Sequence, residues 1–526
     1  MTIAKYGVAH LVCAFLVCSV LSSCDRSGPA NKMRIVAKVA SCAAGDRPEA
    51  ALQGQVPASI RASGFGGFNC NLTLESQYAG TGGGVAFANF KDDQGHFCAY
   101  YANGLGPDGG TNVIDITDPA KPVLTATLKT AAMLNPGESL RVNARRQLLA
   151  AARAGGNGQQ GGPEVDVYDL SVDCRNPKLL ASAAVGTGSD GGISTGKPLS
   201  GHDSNFSPDG LTFYSGDPYG KAYSAVDLTD PTKPKLIAQI DMSKAPLNGQ
   251  WLNGSPHGLS ISEDGNRGYF VSVGFPKAAD LINPNAKVSE GFYVVDTSDV
   301  QARRPNAQMK IISYLTFKDG SAAQHTLSIK IGGKPYLVFV DEMGSGGVPG
   351  PIGGGTLQDA CNASLTPFPM ARIVDISDET EPKLVSDLAL ETHEPGNCSK
   401  VLPDLVGEGA FTYGSHICSV DNRQNATALA CGYWQSGVRV FDIRDPAAPR
   451  EIAYFNPPPV VDIKFAIGDT APSTKVNFCA APAGFDFERK LLTTMCMGSG
   501  ALVLKFENGV WPLPQSSPAP RGVSYN

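Results

Sequence analysis

The sequence lacks most of the signals that name an activity outright. Only 17% of its 526 residues are charged, and the net charge is -6. No basic cluster with interleaved aromatics occurs, which excludes a nucleic-acid footprint. No stretch holds helical periodicity over many turns, which argues against a bundle or a helical solenoid. No Gly-x-Ser-x-Gly run lies between a strand and a helix as a nucleophile elbow would, and no Ser-His-Asp set can be assembled. The run Gly155-Gly156-Asn157-Gly158 does not lie between a strand and a helix, so it is not a phosphate cradle. No Cys-x-x-Cys pair marks a zinc ribbon. Histidine is scarce, with seven in the chain.

What is present is a repeat. Val438-Arg439-Val440-Phe441-Asp442-Ile443-Arg444-Asp445-Pro446, followed by Pro449, is its clearest copy. Others run from Val113 to Pro122, from Ala225 to Pro234 and from Arg372 to Pro382, with looser copies at Val165 to Pro177 and Tyr293 to Pro305. Each follows one physical logic. A β-branched run makes a buried strand. An Asp or Ser before Asp-Pro makes a turn, because the carboxylate accepts backbone amides and proline presets φ. The second proline opens the next strand, where a missing N–H is tolerated. Regular recurrence without helical periodicity predicts an all-β fold, a β-propeller.

Aligning the segment ahead of each hairpin lays out seven blades at 84–128, 138–185, 201–241, 256–317, 324–391, 415–455 and 476–506. The last shows three strands, and an open ring would leave an exposed edge. Residues 68–74 supply a candidate outer strand, so a seven-bladed β-propeller with mixed-terminus ring closure is expected; six or eight blades also fit. Long insertions at 186–200, 275–290, 344–365 and 393–414 place loops where a binding surface would form.

The first 24 residues read as a targeting segment. Lys5 precedes an apolar run from His10 to Leu21, too short for a membrane span. Leu21-Ser22-Ser23-Cys24 resembles the bacterial lipobox, which implies a lipidated Cys24, a bacterial cell envelope and attachment to the membrane through that lipid only. Residues 25–57 then read as a flexible tether, 58–510 as the propeller and 511–526 as a C-terminal tail. Of thirteen cysteines, ten remain after Cys24, an even number suited to an oxidising compartment. Cys418 with Cys431 and Cys479 with Cys496 fall on successive strands of one blade and would bridge them. Cys70–Cys98 and Cys361–Cys398 are further candidate pairs, and buried free thiols are the alternative.

Four of the seven histidines share one place in successive blades. His202, His257, His325 and His416 each open a short strand that is followed by a turn and a second strand. That is the innermost strand, whose first residues ring the channel; the equivalent positions are Ser139 in blade two and Asn477 in blade seven. Four converging imidazoles suit one transition-metal ion, iron or copper. Ligating imidazoles usually donate their second nitrogen to a carboxylate. Asp341 and Glu342, at the end of a second strand, are the favoured catalytic pair, with Asp203 and Glu394 as further acidic neighbours. Trp434, Tyr433 and Asp217 could wall a substrate pocket. His96 reads as a surface turn residue.

The repeats Val-Ile-Asp-Ile, Ile-Val-Asp-Ile and Val-Phe-Asp-Ile resemble those of LVIVD-repeat proteins, β-propellers often exported or lipid-anchored in bacteria. The likeness covers most of residues 84–455 and implies fold more than function. In architecture only, the four-His ring resembles the carotenoid-cleavage oxygenases, which hold Fe(II) by four histidines in a seven-bladed propeller, and copper-binding propeller oxidases. The expected activity is therefore that of a metal-dependent oxidoreductase facing the periplasm or cell surface. Fe(II) is favoured over copper, and an oxygenase on an apolar or aromatic substrate is the boldest form. A non-catalytic lipoprotein that binds cell-envelope protein or polysaccharide through a propeller face is the alternative, and a metal-dependent hydrolase or lyase a third.

Overall fold

The Asp-Pro hairpins form as the sequence predicts. At the end of the third strand of blade one, Asp115 Oδ1 accepts the Thr117 amide at 2.8 Å, and Asp118 Oδ1 accepts that of Ala120 at 3.1 Å. The same pair of carboxylate turns recurs at Asp227 and Asp230, Asp375 and Asp378, and Asp442 and Asp445. These caps specify each turn from residues within the repeat itself.

The structure, a computed structural model, describes residues 36–514 apart from 81, 104–108, 156–161, 189–190, 196–197, 245–253, 277–282, 284, 287, 345–356, 407, 409–410 and 461–474. Its strands make seven antiparallel sheets, the blades of a β-propeller. Their innermost strands are Phe87–Lys91, Arg141–Asn143, Asp203–Phe206, Leu259–Ile261, Ser321–Ile331, Cys418–Val420 and Gly484–Asp486. Third strands are buried on both faces, as Val113 and Ile114 in Thr111–Asp115 illustrate, because each blade packs between two neighbours. Every blade carries a register shift where its third and fourth strands pair, for example between Val440 and Phe441 and between Val113 and Ile114. One extra residue there sharpens the twist each blade needs.

The N-terminal region closes the ring. Leu72–Tyr78 is the outermost strand of blade seven, with Leu72 opposite Phe506 and Tyr78 opposite Ala501. The expected closing segment, 68–74, is divided between two blades. Phe68–Cys70 adds a fifth strand to blade six, and the chain crosses to blade seven at Asn71. Asn71 has φ 55°, a left-handed conformation that asparagine tolerates.

The stretch expected to be a tether is packed from Val36 onward. Val36 bridges Ala389 and Lys38 bridges Arg450. A fully buried Arg439 takes Glu49 from this segment and Glu451, at 2.5 Å, from its own blade. A buried guanidinium requires carboxylates around it, and one of them comes from the segment that composition alone made look loose. At the other end, packing runs past residue 510: Trp511 is buried against Phe485, Phe487 and Phe506.

All ten cysteines after Cys24 are paired. Cys418–Cys431, Cys479–Cys496 and Cys361–Cys398 match expectation. Cys70 and Cys98 do not pair with each other. Cys70, on the added strand of blade six, reaches Cys42 with a Cα separation of 4.9 Å; Cys98, in blade one, reaches Cys174 in the last turn of blade two. The five disulfides fit a periplasmic or extracellular compartment. No helix among the described residues is long and apolar enough to cross a membrane. Residues 1–35, including Cys24, lie outside the described residues.

Candidate metal centre

Connections between blades, and those between second and third strands, leave the ring on the edge where the innermost strands begin. The histidines enter from this loop-rich edge. His202 immediately precedes Asp203–Phe206, and its amide donates to Gly216 O at 3.0 Å. His257 is tied by its amide to the Tyr223 hydroxyl at 3.0 Å. Gly216 lets the two strands approach: a methyl there would sit 1.9 Å from the His257 carbonyl oxygen. His416 donates its amide to Gly432 O at 2.8 Å.

The imidazoles lean on the next blade round the ring. His257 Nδ1 lies 2.9 Å from Gln324 O, and His416 Nδ1 lies 2.8 Å from Ala480 O. A carbonyl can only accept, so each Nδ1 carries hydrogen and each Nε2 is left for a ligand or a proton. The His202 ring stands edge-on to that of His257, with centroids 4.2 Å apart.

Glu138, which the sequence reading placed only at a blade boundary, is the centre of the arrangement. Its amide donates to His202 O at 2.8 Å, which docks it against blade three. Its carboxylate Oε1 is 3.2 Å from His416 Nε2 and 4.0 Å from His202 Nε2; Oε2 is 3.9 Å from His257 Nδ1. Glu342 Oε1 is also 3.2 Å from His416 Nε2. Two sets of metal-ligand groups result, with ligand atoms within 4.8 Å of one another: Glu138, His202 and His257; and Glu138, Glu342 and His416. Ser139, the residue expected at this position, turns into its blade and donates to Ala152 O at 2.6 Å. Glu138 sits one residue ahead of it, so the available signal was an acidic side chain just before an innermost strand.

His325 stands outside both sets. A register shift between Ala323 and His325 moves the strand by one residue, so Gln324 reaches toward Glu138 and His416 while His325 faces blade six. Gln324 Nε2 donates to Glu138 Oε2 and lies 3.0 Å from His416 Nε2. His325 Nε2 instead accepts the Cys418 amide at 3.3 Å. The four imidazoles therefore do not converge on one point. Asn477, the expected counterpart in blade seven, holds a turn, accepting the Phe478 and Gly498 amides.

The field at the centre is strong. Burial works against a charge on His416, but the carboxylates of Glu138 and Glu342 outweigh it and hold the imidazole up to about 10. Burial would raise Glu138, but His416 above all keeps it well below the usual carboxylate range. Burial and then His202 push His257 down to about 4, and burial and then Arg141 push His325 to about 3. His257 is thus neutral near pH 7, the form that ligates metals.

Of the favoured carboxylate pair, Glu342 reaches the centre and Asp341 does not. Neighbours on a strand point to opposite faces. Asp341 is turned into blade five, 2.7 Å from the buried guanidinium of Arg372. Asp217 caps its own turn through the Tyr219 and Gly220 amides. Asp203 is held by Arg141 at 2.6 Å. Tyr433 donates to Leu388 O and packs between blades five and six. Trp434 does border the centre, its ring centroid 4.5 Å from that of His416 and stacked on Phe411 at 4.2 Å. His96, expected at the surface of a turn, is half-buried there against Asp92 at 2.9 Å. Much of the 275–290 and 344–365 insertions lies outside the described residues.

Residues 372–389, the third and fourth strands of blade five, match the LVIVD repeat. No curated protein matches the sequence. Some solved structures resemble the chain at low identity. One, from Bacteroides fragilis and assigned as a 6-phosphogluconolactonase, is 9% identical over 84% of this chain and 98% of its own, with a TM-score of 0.44. The periplasmic gluconolactonase PpgL of Pseudomonas aeruginosa is 12% identical over 86% and 98%, with a TM-score of 0.42. Chaetomium thermophilum Sqt1 is 9% identical over 83% and 98%, with a TM-score of 0.42.

Proposed function

The chain is a seven-bladed β-propeller of the LVIVD-repeat family, and from that premise we propose that it is an exported, lipid-anchored, metal-dependent oxidoreductase whose centre lies in the propeller channel. The observation that carries the reading is the set Glu138, His202 and His257. Two imidazoles and one carboxylate with further positions open are the ligand set of non-haem Fe(II) oxygenases. Ligand atoms about an ion with bonds near 2.1 Å lie about 3 to 4.2 Å apart, so the 4.0 Å between Glu138 Oε1 and His202 Nε2, in a set whose ligand atoms lie within 4.8 Å of one another, fits an ion after small side-chain movements.

Bound there, iron would supply one-electron redox and oxygen chemistry. The chain's own residues supply the rest. The carbonyl of Gln324 orients the His257 ring and fixes its tautomer. The His202 side chain is 29% exposed, so the centre is reached from its side, whereas His416 is fully buried. Trp434, fully buried, stacks on Phe411 and packs behind His416, closing the centre on that side. Glu342 Oε1 stands 3.2 Å from His416 Nε2 beside this ligand set.

Elemental analysis of the purified chain after anaerobic Fe(II) loading tests this. Tightly bound iron is expected, with at least one ion lost in His202→Ala and His257→Ala variants that keep the wild-type circular dichroism. A stable protein that takes up no iron or copper under any loading would leave the partner-binding propeller as the better reading. Anchoring is separable: Cys24→Ser should move the protein from the membrane fraction to the soluble fraction, and an unchanged distribution would refute the lipid anchor.

A further inference from the structure

We infer that the channel holds two metal ions rather than one, with the Glu138 carboxylate bridging them. The inference rests on the metal-centre reading above and extends it. Three of the four histidines expected around one ion fall instead, with Glu342, into two sets that share Glu138 alone. On one side are His202 and His257; on the other are Glu342 and His416. If all five groups surrounded one point they would form one set. A single carboxylate placed between two imidazole-bearing sites is how paired ions, commonly about 3.5 to 4 Å apart, are held.

Three features support the second site independently of the first. His416 Nδ1 is committed to Ala480 O at 2.8 Å, so Nε2 is the atom presented to Glu138 and Glu342. A fixed outer nitrogen is the usual companion of a ligating imidazole. Glu342 faces the centre while its neighbour Asp341 is turned away to Arg372, so the second carboxylate is placed there by strand alternation. Gln324 is fully buried with its amide between Glu138 and His416, and its Oε1 has no hydrogen-bond partner. An orphaned buried acceptor beside this cluster is costly, and a cation or its bound water would satisfy it.

The ligands suit a pair of divalent first-row ions, iron or manganese, since each site offers imidazole and carboxylate and neither offers thiolate. Both have Glu138 in common, so occupancy of one site orients the carboxylate for the other and binding should be cooperative.

The test is metal stoichiometry and magnetic coupling in the intact chain loaded separately with Fe(II) and Mn(II). About two ions per chain are expected, as in other carboxylate-bridged pairs. Glu342→Gln, which preserves side-chain volume, and His416→Ala should each reduce the count to one, and so should His257→Ala from the other side. If His416→Ala fails to fold, Glu342→Gln decides alone. The Mn(II) form should give an exchange-coupled electron paramagnetic resonance spectrum. One ion per chain, unaffected by Glu342→Gln but lost in His257→Ala, overturns the second ion and leaves the single-ion centre standing. No metal in any form overturns both. Two ions with the spectrum of isolated Mn(II) overturn the bridge.

Discussion

Arg439→Ala is expected to lower the free energy of unfolding by about 3 to 5 kcal/mol, the usual cost of leaving buried charges without their partner. Arg439 is fully buried over the Tyr454 ring, with Glu49 on one side and Glu451 on the other. Removing it strands two buried carboxylates and detaches the segment that carries Glu49 from blade six. Burial, opposed by Arg439, already raises Glu49 to about 7. A carboxyl whose pKa is higher folded than unfolded contributes stability at low pH, and that contribution is lost as pH rises from its unfolded value near 4.5 through about 7. Without Arg439 the folded value rises further, so the deficit of the variant should be larger at pH 8 than at pH 5. Urea unfolding at the two pH values reads both effects. A loss under about 1 kcal/mol, or a deficit that shrinks as pH rises, would contradict this account.

Glu138→Gln should have the largest functional effect. It keeps the volume and the hydrogen bond to Gln324 but removes the charge shared by both ligand sets. Metal affinity should fall by more than about 100-fold, beyond the loss usual for an outer partner of a ligand. Metal content should fall to about none, where His257→Ala or Glu342→Gln leaves about one ion. His416, held up chiefly by Glu138 against burial, should titrate lower in the variant, which imidazole resonances in nuclear magnetic resonance spectra would report. Retention of wild-type metal content would mean that Glu138 is not a ligand.

These two residues also mark where sequence reading succeeds and where it stops. The blades were legible because their information is local. A β-branched run, a capping aspartate and a proline specify one hairpin without reference to the rest of the chain. Disulfides within a blade were legible for the same reason: Cys418 faces Cys431 across one ladder, at a Cα separation of 4.0 Å. Cys42–Cys70 joins an N-terminal segment to the strand added to blade six, and Cys98–Cys174 joins two neighbouring blades; such contacts between elements are not encoded in spacing.

At the centre, the histidines were found but not their directions. Period-two alternation makes an assignment depend on register to the single residue. One shift in blade five replaces His325 by Gln324, and one residue in blade two replaces Ser139 by Glu138. Neither change alters composition or repeat spacing. The packed Glu49 segment was missed for a related reason. Its sequence is small and polar, and what orders it is a guanidinium some 390 positions away.

The ring-closing strand has a consequence for biogenesis. Leu72–Tyr78 is made before any complete blade, yet its partner Gly500–Phe506 belongs to the last. Until the last blade is made its amide edge has no partner, and an unpaired edge can recruit the wrong strand. Two crowded copies could exchange this strand before either circle is complete. The cell that makes this protein therefore gains from chaperones that shield a strand edge until its late partner arrives.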